Sequence, residues 1–316
     1  MRLAIPRETH PGENRASVTP ETVKKLVRLG ADLAIESGTG AGAGFSDEAY
    51  AAEGASVVTD RDALLGSADM VLRLRKPDLE EVAKLKPGCI HVSYLDPFNE
   101  HALIREFAAK SITAVSMEMI PRSTRSQKMD ALSSQANLAG YMAVMLAATR
   151  LPRIFPMMMT PAGTLKPSKV FIIGAGVAGL QAIATAKRLG ARVTAFDTRP
   201  VVAEQVQSLG GKFLEIDLGD TGQTADGYAR ELTPEQVEIQ RQAQKAVIAD
   251  SDVVITTAQV FGRKPPVLVT ADMVAGMAPG SVVVDMAAET GGNVEGSVPD
   301  EVVDVGGVTI VGTGNL

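Results

Sequence analysis

The feature that most constrains this chain is Val170-Phe-Ile-Ile-Gly-Ala-Gly-Val-Ala-Gly179, an apolar run that ends in G-x-G-x-x-G. Its first residues read as a buried strand, and Leu180–Leu189, closed by Gly190, reads as a helix. Strand, glycine turn and helix in that order specify a dinucleotide-binding turn. Gly174 permits the tight turn, Gly176 lets the backbone approach a pyrophosphate, and Gly179 lets helix and strand pack closely. Val177 and Ala178 complete a turn whose N–H groups and helix dipole favour phosphate. Asp197 closes the next apolar run about 20 residues on, where an acid takes the adenosine ribose hydroxyls of NAD and repels the extra phosphate of NADP. Thr198 and Arg199 follow, and Arg199 runs against that preference, because a nearby arginine could accept the phosphate. Glycines serving packing alone are the bland alternative, and the register of strand, helix and Asp197 weighs against it.

The turn sits inside a longer alternation of short apolar runs and amphipathic segments. Upstream, strands are expected at Leu3–Pro6, Leu33–Glu36, Val57–Val58, Met70–Leu74, Ile90–Tyr94 and Thr113–Ser116, with helices at Leu79–Lys84 and Glu100–Lys110. Thr19, Pro20 and Gly30 carry the cap, first-turn and stop signals of another helix. Downstream, strands are expected at Val193–Phe196, Lys212–Ile216, Val253–Thr256, Ser281–Asp285 and Thr309–Val311. The pattern predicts an α/β protein with two Rossmann-like domains and parallel sheets, 1–128 and 149–316, joined by a long helix over 129–148. Pro152–Lys169, with the methionine run Met157–Met159 and Gly163, reads as a connecting loop or hairpin.

Composition removes other classes. The 316 residues are 45% hydrophobic and 22% charged, as in a soluble globular protein. The net charge of −6 and the lack of a Lys/Arg run argue against nucleic-acid binding. Cys89, the single cysteine, excludes an internal disulfide and a Cys-rich metal site. The longest apolar stretches, such as Tyr141–Ala148, fall well short of the roughly 20 residues needed to span a bilayer.

A second concentration of chemistry lies in Met119–Gly140, which holds Arg122, Arg125, Gln127, Asp130, Ser133, Ser134, Gln135 and Asn137. Asp130 and Ser133 have the spacing of one helix face, with Arg122 on the loop before it. Such a set suits a carboxamide, since Arg and Ser donate to its oxygen and Asp accepts from its NH2. A solvated loop with Asp130 capping the following helix accounts for the same pattern.

With both regions in view, the chain resembles the NAD(H)-binding subunit, or domain I, of proton-translocating nicotinamide nucleotide transhydrogenase, whose fold is shared with alanine dehydrogenase. The resemblance covers essentially the whole chain. It is carried by IPRETHPGENRASVTP, MEMIPRSTRSQKMDALSSQANLAGY, GAGVAGLQAIATAKRLGA, AFDTRP, EQVQSLGGKF, DGYA and SVVVDMAAETGGN. It implies that Arg122, Asp130 and Ser133 position the nicotinamide of NAD(H), in a cleft between domains, and that Gln127 reaches toward NADP(H) on a partner component. It further implies that Gly227, Tyr228 and Ala229 belong to a loop that closes over NAD(H); Asp217–Thr233 is indeed rich in Gly, Thr and Asp. A homodimer follows, with Pro152–Lys169 exchanged or in contact. So do an NADP(H)-binding domain and a membrane proton-channel component as partners. The chain would then be cytoplasmic, held at the cytoplasmic face of the inner membrane by those partners. Hydride exchange between two nicotinamides moves no proton at the reacting carbons and needs only ring alignment and exclusion of water. None of the three histidines, His10, His91 and His101, falls in the polar patch.

The alternatives are an alanine dehydrogenase-like oxidoreductase and a regulatory subunit that binds NAD(H) without turnover. Alanine dehydrogenases carry a catalytic histidine where Asp96 stands here, an aspartate where Glu289 stands, and a substrate lysine where Arg75 stands, whereas Arg15 is common to both families. The intact Arg122–Gln127–Asp130 set speaks against a sensor. Family members also continue past the segment matching Val311–Leu316 and return through a second linking helix to complete the first domain.

Overall fold

The computed structural model describes residues 1–219, 221, 230, 232–259 and 262–314. The chain forms two compact units, Met1–Ala131 and Leu132–Leu316.

In the first unit, strands β1 (Arg2–Ile5), β2 (Asp32–Glu36), β3 (Ser56–Val58), β4 (Met70–Leu72), β5 (Ile90–Ser93) and β6 (Thr113–Ser116) alternate with helices α1 (Pro20–Arg28), α2 (Asp47–Ala52), α3 (Arg61–Ser67), α4 (Leu79–Lys84) and α5 (His101–Ala109). The sheet is six-stranded and parallel, in the order β3-β2-β1-β4-β5-β6. That doubly wound order reverses beside β1, which puts its crevice at the carboxyl ends of β1 and β4. Short polar side chains start the helices: Thr19, Ser46, Asp60 and Asp78 accept from the N–H of Thr22, Ala49, Ala63 and Glu81. Alternate strand residues enter opposite layers, Leu3 and Ile5 packing with Val23 and Tyr50, and Ala4 and Val71 with Leu64, Val82 and Phe107.

The second unit opens with α6 (Ala131–Arg150), followed by β7 (Met158–Thr160) and β8 (Gly163–Leu165), a two-stranded antiparallel hairpin. Then come β9 (Lys169–Ile173), α7 (Val177–Arg188), β10 (Arg192–Phe196), α8 (Ala203–Ser208), β11 (Lys212–Phe213), α9 (Pro234–Ala249), β12 (Val253–Thr256), α10 (Ala271–Ala275), β13 (Val282–Asp285), β14 (Val302–Val305) and β15 (Val308–Gly312). The seven-stranded order is β11-β10-β9-β12-β13-β15-β14, parallel except for β14. Strands β12 and β13 are wholly buried, which is why they read as continuous apolar runs. Val170 and Ile172 face α6 and α7 through Ala143, Ala147, Ala182 and Ile183, while Phe171 and Ile173 face Ile248, Met273 and Val274 of α9 and α10.

Two strands differ from expectation, β11 and β14. The strand expected over Lys212–Ile216 stops at Phe213, because the chain beyond it leaves the sheet to line a pocket. Helix α6 buries Gly140, Ala143, Val144 and Ala147, the last three in the core beside β9 and α7. A side chain on Gly140 would run into the Ala178 carbonyl of the glycine-rich turn, so glycine is what lets α6 lie against the start of α7. Strand β14 has no counterpart among the expected strands, although Gly306-Gly307, both with positive φ, marks the hairpin turn that creates it.

Candidate functional site

The glycine-rich turn joins β9 to α7 at the switch point of the second sheet, between β9 and β12. Its glycines have different reasons. Gly174 has φ +102°, and a Cβ there would collide with Thr257 Oγ1. That hydroxyl donates to the Gly174 carbonyl at 3.1 Å and so pins the turn to the end of β12. A Cβ on Gly179 would overlap the Gly174 carbonyl, so helix and strand meet only because it is absent. Gly176 is different: it is the N-cap of α7 with ordinary φ, and a Cβ there would meet, among the described residues, only Arg199 Nη2 at 3.9 Å. Internal packing therefore accounts for Gly174 and Gly179 and leaves Gly176 open to an approaching ligand. This is the arrangement a pyrophosphate requires.

Asp197 stands at the carboxyl end of β10, and the polypeptide has already gathered donors around it. Its Oδ2 accepts from the Ala175 N–H at 2.8 Å and from Arg199 Nη2 at 2.9 Å. Its Oδ1 accepts from the Arg199 N–H at 2.8 Å and from Arg199 Nε at 2.9 Å. The hydrogen bond to Asp197 raises the Arg199 guanidinium further above its usual range. Beside this pair lies a pocket of about 320 Å³ lined by Phe196, Asp197, Thr198, Phe213, Glu215 and Asp217 among others, which suits the adenosine end of a dinucleotide. The Thr198 carbonyl accepts from Thr221 Oγ1 at 2.7 Å, which fixes one wall. Glu215 and Asp217 are not singled out by the sequence reading; an acidic pair immediately after β11 is the signal that could have found them. Val177 is exposed and Ala178 half-buried, both in the first turn of α7. Gly227, Tyr228 and Ala229 lie outside the described residues.

Asp285, at the end of β13, is fully buried and organises the neighbouring loop. Its carboxylate accepts from Thr256 Oγ1 and from the backbone N–H groups of Ala287, Asn293 and Val294 at 2.9–3.1 Å. Sequence reasoning gives it no role of its own, because its partners are distant in the chain.

In the first unit, Arg122 Nε and Asp130 Oδ2 stand 4.0 Å apart as an ion pair. Gln127 is exposed and begins a 3-10 turn, Gln127–Met129, that carries the chain to Asp130, the residue immediately before α6. Ser133 occupies the first turn of α6 and is half-buried. Burial raises the Tyr94 hydroxyl, and Arg15, Glu118 and Asp130 all act on it electrostatically, so the patch adjoins the carboxyl end of β5. Glu118 holds that edge: its carboxylate accepts from the N–H groups of Leu95 and Asp96 and from Ser116 Oγ.

At the same edge Glu13, whose side chain has no exposed surface, accepts from Arg15 Nη2 at 2.7 Å and from Arg75 Nε at 3.0 Å. Burial alone would push the Glu13 carboxyl up, but hydrogen bonds and charge from Arg15, helped by Arg75, bring it down to about 2. Asp96 has left-handed backbone with φ 49°, and its carboxylate accepts from Asn99 Nδ2 at 2.9 Å. Glu289 is exposed, in a 3-10 turn after β13. His91 is buried against Phe107 with neither ring nitrogen hydrogen-bonded, and burial together with Arg73 lowers it to about 3. It is a neutral core residue, while His10 and His101 are exposed on loop and helix start.

Known proteins match this arrangement along its whole length. The family model described as alanine dehydrogenase/PNT, N-terminal domain, covers residues 4–139, and its C-terminal counterpart covers residues 143–316. The first portion of the NAD(P) transhydrogenase alpha subunit of Rhodospirillum rubrum is 46% identical over 100% of this chain and 84% of its own length. NAD(P) transhydrogenase subunit alpha of Cereibacter sphaeroides is 46% identical over 99% of this chain, which spans 60% of that longer protein. Alanine dehydrogenase of Bacillus subtilis is 30% identical over 93% of this chain and 72% of its own. The crystal structure of transhydrogenase from Sinorhizobium meliloti superposes with a TM-score of 0.89 at 44% identity, over 100% of this chain and 87% of that one.

Proposed function

The chain belongs to the alanine dehydrogenase/PNT family, and from that premise we propose that it is the NAD(H)-binding component of a transhydrogenase, passing hydride between NADH and NADP+ held on a partner component. The observation that carries this reading over alanine dehydrogenase is the Glu13 clamp, which engages both Arg15 and Arg75 from within the protein. Arg75 stands where alanine dehydrogenases carry the substrate lysine, and here its side chain is engaged by a glutamate of the protein itself. The matching position of a catalytic histidine holds Asp96, and among the described residues no histidine stands at either proposed nucleotide contact. The greater identity to transhydrogenase subunits, 46% against 30%, points the same way.

In this reading Gly174, Gly176 and Gly179, with the N–H groups of Val177 and Ala178, seat the pyrophosphate at the N-terminus of α7. Asp197 takes the adenosine ribose, with Thr198 and Arg199 beside it. Arg122, Asp130 and Ser133 orient the carboxamide of the nicotinamide, and Gln127 extends toward the second nucleotide. When bound, the dihydronicotinamide supplies the hydride. The protein's own task is positioning: a fixed ring and an excluded water, with no side chain exchanging a proton at the reacting carbons. NADP(H) sits on the partner, proton translocation belongs to a membrane component, and the chain works as a homodimer in which the β7–β8 hairpin contributes contacts. Among the described residues no helix is long and apolar enough to cross a membrane. Attachment at the cytoplasmic face is therefore assigned to partners.

The test is to mix the protein with the NADP(H)-binding domain of a transhydrogenase and follow hydride exchange between NADH and an NADP+ analogue. Exchange that depends on both proteins is expected. Its absence while both nucleotides bind refutes the proposal, and L-alanine-dependent reduction of NAD+ would establish the rival.

A further inference from the structure

The Asp197 carboxylate has its hydrogen-bonding positions filled by the protein itself. A carboxylate has about four lone-pair positions, and the Ala175 N–H, the Arg199 N–H, Arg199 Nε and Arg199 Nη2 take them at 2.8–2.9 Å. Two of these donors are backbone groups fixed by the turn and by the end of β10. The other two belong to a side chain that can move. Ribose hydroxyls can therefore reach Asp197 only where the guanidinium fork now sits. The fork also lies over the one glycine of the turn that packing leaves open, Nη2 being, among the described residues and apart from the two chain neighbours, the sole atom within 4 Å of a Cβ built on Gly176.

The same geometry bears on the second phosphate of NADPH. An arginine serving as a phosphate receptor directs its donors at the position the phosphate will take. Here the fork is turned inward onto an almost fully buried carboxylate, and the pocket beyond adds Glu215 and Asp217 rather than another cation. A dianionic phosphate in that pocket would meet Asp197, Glu215 and Asp217.

We propose that Arg199 is a displaceable latch on Asp197: it satisfies the carboxylate before a nucleotide arrives, gives way to the adenosine ribose, and so sets the affinity for NADH without serving as a receptor for NADPH. This rests on the assignment of Asp197 to the adenosine ribose. Removing the fork leaves the Asp197 charge less compensated before binding and spares the ligand the displacement, so binding tightens. The ribose hydroxyls replace the two hydrogen bonds that the fork gives up, so only the difference between the two sets reaches the affinity, a change of about tenfold.

The experiment measures dissociation constants of NADH, ADP and NADPH by calorimetry for the wild type, Arg199→Met and Arg199→Lys, with thermal melting as a check on folding. Arg199→Met retains the apolar stem and should bind NADH and ADP about tenfold more tightly, with NADPH remaining the weaker ligand. Arg199→Lys keeps the charge but not the fork and should fall between the two. Weaker NADH and ADP binding in Arg199→Met would show that the guanidinium holds the pyrophosphate, and a selective loss of NADPH binding would show a phosphate receptor; either overturns the latch. Unchanged affinities overturn the latch alone, whereas a wild type that binds no NADH overturns the NAD(H) reading and the latch with it.

Discussion

Replacing Gly176 by alanine separates the role of the turn in binding from its role in folding. The residue has φ −76° and ψ −165°, which alanine adopts without strain, and its added methyl would meet nothing closer than Arg199 Nη2 at 3.9 Å among the described residues. Alanine is a poorer N-cap than glycine, by about 0.5–1 kcal/mol. The reduced freedom of the unfolded chain returns a similar amount. The net change in stability should stay within about 1 kcal/mol, or a melting shift of about 2–4 °C for a unit of this size. Binding should respond very differently. The methyl occupies the space through which backbone N–H groups reach a phosphate, and losing two charge-assisted hydrogen bonds at about 1.5 kcal/mol each weakens NADH about a hundredfold. Gly179→Ala supplies the contrast, because its methyl would overlap the Gly174 carbonyl and destabilise the β9–α7 contact by several kcal/mol, as overpacking of a backbone does. Calorimetric titration with NADH and differential scanning calorimetry of both variants make the comparison. A folded Gly176→Ala protein that binds NADH like the wild type would refute the reasoning, since the open glycine would then face no ligand.

Two further substitutions test the first unit. Arg15 and Arg75 hold the Glu13 carboxyl down to about 2 from its ordinary 4.5, so its contribution to stability is present above about pH 5 and is lost as pH falls toward 2. Glu13→Gln should be less stable at pH 7 and should show a shallower loss of stability between pH 5 and 2 in urea unfolding; an unaltered slope would remove the clamp from the account. Gln127 is exposed between Arg122 and Asp130, so Gln127→Asn should slow hydride exchange with the partner domain several-fold while NADH affinity, read by fluorescence, changes less than twofold. A large loss of NADH affinity would contradict its assignment to the second nucleotide.

Much of the fold is legible in sequence because it is local. The strand–turn–helix around Gly174 needs only neighbouring residues, and the caps Thr19, Asp60 and Asp78 act on amides within one helical turn. The three glycines nevertheless look alike in sequence, and only the return of Thr257 from β12 separates Gly174, which packing demands, from Gly176, which it does not. The arginine after Asp197 is ambiguous for the same reason: whether its fork faces solvent or the carboxylate depends on the Ala175 amide, which reaches Asp197 across the sheet edge. The Arg122–Asp130 patch is legible as polar spacing and acquires its roles from resemblance. Its setting beside Tyr94, Glu118 and Arg15 comes from parallel pairing of β4, β5 and β6.

The least legible contacts are those between residues distant in the chain. Glu13 and Arg75 are far apart in the chain and meet because β1 and β4 are neighbours. Glu8 reinforces that contact, accepting from the Leu74 and Arg75 N–H groups at 2.6 and 3.2 Å. In sequence Arg75 is a replacement for a substrate lysine, and Arg15 is common to both families. In the fold both are counter-charges of a glutamate whose side chain has no exposed surface. The edge of the first sheet is thus built to hold its own shape rather than to exchange protons. Hydride transfer between nicotinamides asks for a fixed geometry and a site closed to water, with no acid or base at the reacting carbons.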